Sequence, residues 1–329
     1  MQLNRFAKFA WGVLACNIAV IVWGTYVRAT GSGGGCGAHW PTCDGQIIPR
    51  PESVEMLVEL AHRGSVGIAF GLAIAMFVWA WRAYPKGHAV RSGAALSLAF
   101  FITESIIGAG LVLFKLVEQD ASVTRGVSVS AHLVNTFILV ACLTYTAWWA
   151  SGGRRFSWRD SKPLLLGAAA MFLLGASGAI AALGDALFPA RSLAEGLAQD
   201  VSPTAHIFLQ LRIWHPFIAI GTGLLLIGLA SVYGLPSRGK AVKRLAIVLI
   251  GLVVIQWAAG FVNVILLAPV WMQMLHLFLA DAVWIAYLLM AAAILGAQGV
   301  EAVSSGVADR TVAQSAPTMR PVGTGSSEK

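Results

Sequence analysis

Residues 245–267 read LAIVLIGLVVIQWAAGFVNVILL, 23 positions in a row without a charged side chain. As a helix rising 1.5 Å per residue, a run of this length covers about 35 Å, enough to cross the roughly 30 Å hydrocarbon layer of a bilayer. The apolar residues are continuous and do not alternate, which argues against a barrel strand. Seven further stretches have the same character, at approximately 9–27, 64–82, 94–114, 129–150, 163–184, 213–234 and 273–297. Gly and Ala recur within them, as expected where membrane helices pack closely. The expected fold class is all-α, a polytopic membrane protein with eight transmembrane helices.

Composition agrees with this reading. Of 329 residues, 57% are hydrophobic and only 12% charged, against about 25% charged in a soluble domain. A compact soluble globule could not cover itself with so few charges. That excludes a soluble enzyme, a disordered chain and a nucleic-acid binder relying on a basic face. The net charge of +8 is a topology signal. Of the 23 basic residues, one set of alternate connections, termini included, holds 16. The other set holds 7: Arg28, Arg50, Arg63, Lys115, Arg125, Arg191 and Arg212. By the positive-inside rule both termini are cytoplasmic and the protein lies in the cell (plasma) membrane.

The first apolar run lacks a convincing small-x-small cleavage site and is read as an uncleaved span rather than a signal peptide. The segment 299–329, rich in Ser, Gly, Thr and Val, reads as a disordered cytoplasmic tail. The outward connections are long at about 28–61, 115–128 and 185–212, and short near Ala268–Met272. Chemistry is therefore expected on the outer side.

Two four-helix halves, 1–160 and 161–298, read as pseudo-symmetric copies, on topology and histidine placement. His62 and His132 mark the second and fourth spans of the first half, and His215 and His276 those of the second. The separations, 153 residues from His62 to His215 and 144 from His132 to His276, are similar. His132-Leu133 and His276-Leu277 repeat a dipeptide, and Glu104-x3-Gly108 parallels Gln256-x3-Gly260.

These four histidines share one membrane depth at the outer ends of helices that all run inward. In a four-helix bundle the second and fourth helices are diagonal, roughly 12–14 Å apart when neighbours are 8–10 Å apart. Two imidazoles reaching across that gap match bis-histidine ligation of a haem iron, with apolar walls suited to the macrocycle. Taken singly, each histidine reads as an interfacial residue bonded to a neighbour or to water. Four at matched positions favour two haem sites. A zinc site is less favoured, because no further ligand clusters at tetrahedral spacing.

The halves differ three residues before the first histidine, where Glu59 precedes His62 and Arg212 precedes His215. Residues i and i+3 share a helix face, so Glu59 is expected toward one pocket and Arg212 toward the other. A cation suits the propionates of a resident haem. A carboxylate instead handles protons or stabilises developing positive charge. The bland reading of Glu59 is a solvated residue in the amphipathic lead-in Glu52–Leu60. Arg63 and Arg28 are alternative propionate partners in the first half.

Gly31, Gly33, Gly34 and Gly35 precede Cys36 and Trp40-Pro41-Thr42-Cys43, and permit a tight backbone. Cys36 and Cys43 lie on the outer side, where disulfides persist. Closing so short a loop stabilises by roughly 2–3 kcal/mol in the chain-entropy model. A redox-active pair is the alternative, and both readings stay open. Cys16 and Cys142 fall within spans and read as small core residues.

Taken in order, several pieces resemble the haem A synthase family. They are Val27-Arg28-x-Thr30-Gly31-Ser32-Gly33, the Cys36/Trp40-Pro41-x-Cys43 loop, Glu59-x-x-His62-Arg63, His132-Leu133, His215-Pro216, and Ala268-Pro269 before His276-Leu277. The resemblance covers all eight spans. It implies oxidation of a methyl group of haem O to a formyl group, giving haem A for terminal oxidases. By that resemblance His62 and His132 bracket the substrate haem O. His215 and His276 ligate the iron of a resident haem b, Glu59 is catalytic, and Cys36–Cys43 is the outer disulfide. The implied partners are the haem O substrate, a haem O synthase, terminal oxidase assembly factors and the lipid bilayer, with no nucleic acid. Some members carry a second cysteine pair between spans 5 and 6, which this sequence lacks. Two other classes compete. A di-haem b-type membrane cytochrome that only transfers electrons explains the histidines but not the unequal pockets. A repeat transporter would place its ionisable residues near midplane, not at the outer end.

Overall fold

The structure is a computed structural model, and it describes residues 3–47, 49–158 and 161–315, with side chains described as far as 297. Its helices are α1 (Arg5–Ala29), α2 (Val54–Ala83), α3 (Ala89–Leu113), α4 (Val123–Ala150), α5 (Lys162–Leu187), α6 (Leu193–Val201), α7 (Ile207–Arg212), α8 (Trp214–Leu229), α9 (Lys240–Ile265) and α10 (Val270–Ser315). Among the described residues there is no strand, only one isolated bridge between Cys43 and Gln46. Eight segments are long and apolar enough to cross a membrane, with α7 and α8 together forming the sixth and residues 270–297 of α10 the eighth. The chain is an all-helical, polytopic membrane protein.

Several helices begin well before their apolar runs, because caps outside the apolar stretch start them. Ser53 Oγ accepts from Met56 N at 3.1 Å, so α2 starts at Val54 rather than near 64. The supposed lead-in Glu52–Leu60 thus joins the spanning helix, and Glu59 and His62 share one unbroken element. Asn4 caps α1 through Ala7 N at 2.7 Å, and Ser122 caps α4 through Arg125 N at 3.1 Å. Such caps satisfy N–H groups that a first turn leaves without partners. The sixth span is interrupted at Ile213. Pro216 has no N–H to give the carbonyl four residues back, at Arg212, which accounts for the break. α10 runs as far as Ser315, past the start of the segment read as a tail from 299. Extending an established helix avoids the nucleation penalty, and no proline intervenes before Pro317. The rest of that expectation, 316–329, lies outside the described residues.

Helices α1 to α4 pack in a ring, α1 against α2 and α4, and α3 against α2 and α4. In the second half α5 packs on α8, α8 on α9 and α9 on α10. The halves meet where α4 touches α5 and α10, and α1 touches α10. That seam holds the largest buried side chains. Trp284 Nε1 of α10 donates to Phe137 O of α4 at 2.8 Å, and the Tyr287 hydroxyl donates to Leu164 O of α5. Gly167 is required beside it, since a Cβ there would lie 2.5 Å from Tyr287 Oη. Apolar residues such as Ile68, Ile106, Leu173, Ile247 and Phe261 are exposed on the outside of the bundle, as a lipid-facing surface requires.

Candidate functional site

All four singled-out histidines are half-buried near the end of the bundle that carries the long loops. Each lies against a glycine on the preceding spanning helix. A Cβ on Gly24 of α1 would come within 3.1 Å of His62 Cε1, and one on Gly108 of α3 within 3.7 Å of His132 Cε1. In the second half a Cβ on Gly178 of α5 would reach His215 Cε1 at 3.0 Å, and one on Gly260 of α9 would reach His276 Cε1 at 3.1 Å. At Gly24, Gly178 and Gly260 the missing side chain gives the imidazole room against its neighbouring helix, while a Cβ on Gly108 would make an ordinary contact. His62 and His132 belong to the first four spanning helices, and His215 and His276 to the last four.

The nitrogens behind the rings are treated differently. His132 Nδ1 lies 3.4 Å from Glu104 Oε1 on α3. His215 Nδ1 is 3.0 Å from Ser177 Oγ on α5. The Nδ1 atoms of His62, His132 and His276 are buried without a hydrogen-bond partner, the Glu104 carboxylate standing at ion-pair distance from that of His132. The other histidines have local duties. His88 and His206 cap α3 and α7 through Val90 N and Phe208 N, and His39 sits 4.0 Å from Asp44 in the first loop.

Glu59 is buried, only 3% exposed, and both its oxygens are engaged. Oε2 accepts from Cys36 N at 2.7 Å. Oε1 accepts from Arg63 Nε and Nη2 at 3.1 and 2.5 Å. Arg63 Nη1 in turn donates to His39 O at 2.7 Å and Thr42 O at 2.6 Å. The solvated-residue reading of Glu59 therefore fails. The carboxylate ties the loop to α2, one turn from His62.

Cys36 and Cys43 form the expected disulfide, with Cα atoms 4.4 Å apart. Both are buried, packed with Met56 and Leu60 of α2. Gly35 is needed for close approach, because its Cβ would lie 2.4 Å from the Glu55 carbonyl carbon. Cys16 and Cys142 are free.

Arg212 is ion-paired. Its Nη1 donates to Asp185 Oδ1 at 2.7 Å and its Nε to Asp200 Oδ1 at 2.8 Å. Two aspartates of the 185–212 connection thus hold it. Nothing in the i, i+3 spacing could reveal this, because Asp200 reaches it through the fold-back of α6 and α7. Arg28 takes neutral partners instead, donating to Ala182 O at 2.8 Å and Gln273 Oε1 at 2.9 Å. It thereby clamps α1 of the first half to α5 and α10 of the second.

A family model described as COX15-CtaA, cytochrome oxidase assembly protein, matches residues 7–288. The chain belongs to that family. Among curated proteins, this COX15-CtaA member is 47% identical over 304 residues to a protein of Thermus thermophilus named protoheme IX farnesyltransferase. That match takes in 91% of this chain but 50% of the relative. It is 32% identical over 128 residues to heme A synthase of Halalkalibacterium halodurans, covering 39% of this chain and 42% of that protein. With heme A synthase of Bacillus mycoides it shares 29% over 144 residues, 44% of this chain and 46% of that one. The chain thus spans about half the length of these curated relatives.

Sequence reasoning missed the facing glycines, the Glu104 contact and the Arg28 clamp. A signal for the first existed, because Gly24 and Gly178 are 154 residues apart, nearly the 153 between His62 and His215.

Proposed function

We propose that this COX15-CtaA member is a haem A synthase, an oxidoreductase that converts a methyl group of haem O to a formyl group for use by terminal oxidases. The observation that carries the reading is the set of four imidazoles, two in each half and each beside a glycine. Bis-histidine haem ligation calls for such pairs in an apolar bundle. The residues fit the group, since a glycine stands beside each imidazole and the surrounding helices are apolar.

On this reading His62 and His132 bind the substrate haem O, while His215 and His276 hold haem b. When bound, haem b supplies one-electron transfer. Glu59 is the acidic residue nearest the substrate pair in sequence, held in place by Cys36 N–H and Arg63. It handles protons, or stabilises positive charge, at the substrate methyl group. Arg28, whose direct partners are neutral, is the candidate propionate partner of the first half, and Arg212 that of the second. Both termini are assigned to the cytoplasm by the distribution of basic residues, which puts the histidine end outside. A haem O synthase and terminal oxidase assembly factors are the partners this function calls for.

Gly178→Val places a branched side chain where His215 Cε1 would be 3.0 Å from its Cβ. The ring must leave the helix, at a packing cost of about 1–3 kcal/mol. The expected result is selective loss of the haem of the second half from the visible spectrum, with the other haem kept.

The farnesyltransferase name of the Thermus relatives offers a second reading. A prenyl transferase holds Mg²⁺ and diphosphate with clustered carboxylates. Among the described residues no group of three or more His, Cys, Asp or Glu is placed to hold a metal ion. The part of those relatives outside this chain is therefore the better place for the named activity. Expression in a host that makes protohaem but neither haem O nor haem A separates the readings. A synthase leaves the extracted pigment as protohaem alone. Appearance of haem O would favour the transferase.

A further inference from the structure

The two halves differ in what stands behind the histidine of the last helix. In the first, Glu104 Oε1 lies 3.4 Å from His132 Nδ1. The carboxylate is itself held. Its Oε2 accepts from Asn135 Nδ2 at 2.6 Å, and Oε1 accepts from the Thr136 hydroxyl. Asn135 is fixed in turn, accepting from Thr103 Oγ1 at 2.6 Å and donating to Phe100 O at 3.0 Å.

In the second half the matching position is Gln256. Its amide donates to His276 O at 3.1 Å and lies 3.4 Å from His276 Nε2, while His276 Nδ1 has no partner. His215 has only a hydroxyl behind it, from Ser177, and His62 has nothing. A carboxylate thus backs one of the four imidazoles.

We propose that Glu104 is a positioning residue for His132. Its carboxylate, 3.4 Å from Nδ1, favours the Nδ1–H tautomer that leaves Nε2 as the ligand atom, and makes this imidazole the most strongly donating of the four. The inference rests on the reading that His62 and His132 bind the iron of the substrate haem. Carboxylate–histidine pairs raise the basicity of a metal-bound imidazole, and a stronger axial donor favours the oxidised metal. The pocket assigned to oxidation of substrate then has the lower potential. Gln256, an amide at the matching place, leaves the other pocket higher.

The test uses the full-length, haem-loaded protein in potentiometric titrations followed by visible spectra. Glu104→Gln keeps the size of the side chain and removes the anionic acceptor. Both haems are expected to stay bound, with an upward shift in the midpoint potential of the first-half haem alone. Glu104→Asp, which keeps a carboxylate one methylene further back, should fall between wild type and Glu104→Gln. A merely structural role would lower thermal stability and leave both potentials in place. Should Glu104→Gln fail to fold, the wild-type ferric electron paramagnetic resonance spectrum serves instead. It should contain two bis-imidazole signals, the one lost in His132→Ala having the stronger axial ligand field. Unchanged potentials in a haem-loaded Glu104→Gln protein, or equal ligand fields in wild type, would overturn the proposal. Wild-type protein that binds haem only in the second half would overturn the functional reading, and the role of Glu104 with it.

Discussion

Glu59→Ala is expected to stop haem A formation and release the disulfide loop, whereas Glu59→Gln stops haem A formation and keeps the loop in place. The difference follows from the two duties of the carboxylate. As an acceptor it satisfies Cys36 N–H and binds Arg63, and an amide oxygen can still accept from one of these donors. Alanine leaves both without that partner, at about 1–3 kcal/mol for a buried group left unsatisfied. As a proton-handling or charge-stabilising group the carboxylate has no substitute in glutamine, and loss of such a group costs on the order of 10²–10⁴ in rate. Protease sensitivity of the loop around Cys36 and Cys43 reads the first duty, and pigment extraction reads the second. Haem of the second half should remain in both variants. Normal haem A yield from Glu59→Gln would remove the residue from the chemistry and leave it as an anchor only.

The second large effect concerns the histidine pairs. His215→Ala and His276→Ala should each remove the haem of the second half and leave the other bound. His62→Ala and His132→Ala should do the reverse. Each pair is confined to its own half, because α1 to α4 close on themselves and each imidazole lies beside a glycine of that half. The redox and pyridine-haem spectra of the four variants should therefore fall into two classes. If a His62 variant and a His215 variant lose the same haem, the pairing is wrong.

Much of this is legible in the sequence, for identifiable reasons. Spans show because a bilayer demands length and apolarity, both of which are local properties of the chain. Histidine depth follows from span direction, so the order of residues alone places His62, His132, His215 and His276 at one level. The pairing of Cys36 with Cys43 is legible because the two lie close together in one loop outside the membrane.

What stays hidden depends on long-range contacts or on caps. The start of α2 at Val54 is set by Ser53, a polar residue that hydropathy discounts. The partners of Arg212 are hidden because Asp185 and Asp200 reach it only after the connection folds back. Glu59 looks solvated because its partners, Cys36 N–H and the carbonyl-bound Arg63, come from the preceding loop and the next helical turn. Glu104 stands out in the sequence only as a repeat marker, and its meaning needs α3 and α4 side by side.

The central claim is that this chain oxidises haem O to haem A, and one measurement addresses it directly. The protein is expressed in a cell that makes haem O but has no haem A synthase of its own, and the extracted pigments are identified by mass. The account predicts haem A with wild type and none with Glu59→Gln or His132→Ala. Wild-type protein that binds two haems and yields no haem A would contradict it, and would leave an electron-carrying di-haem cytochrome in its place.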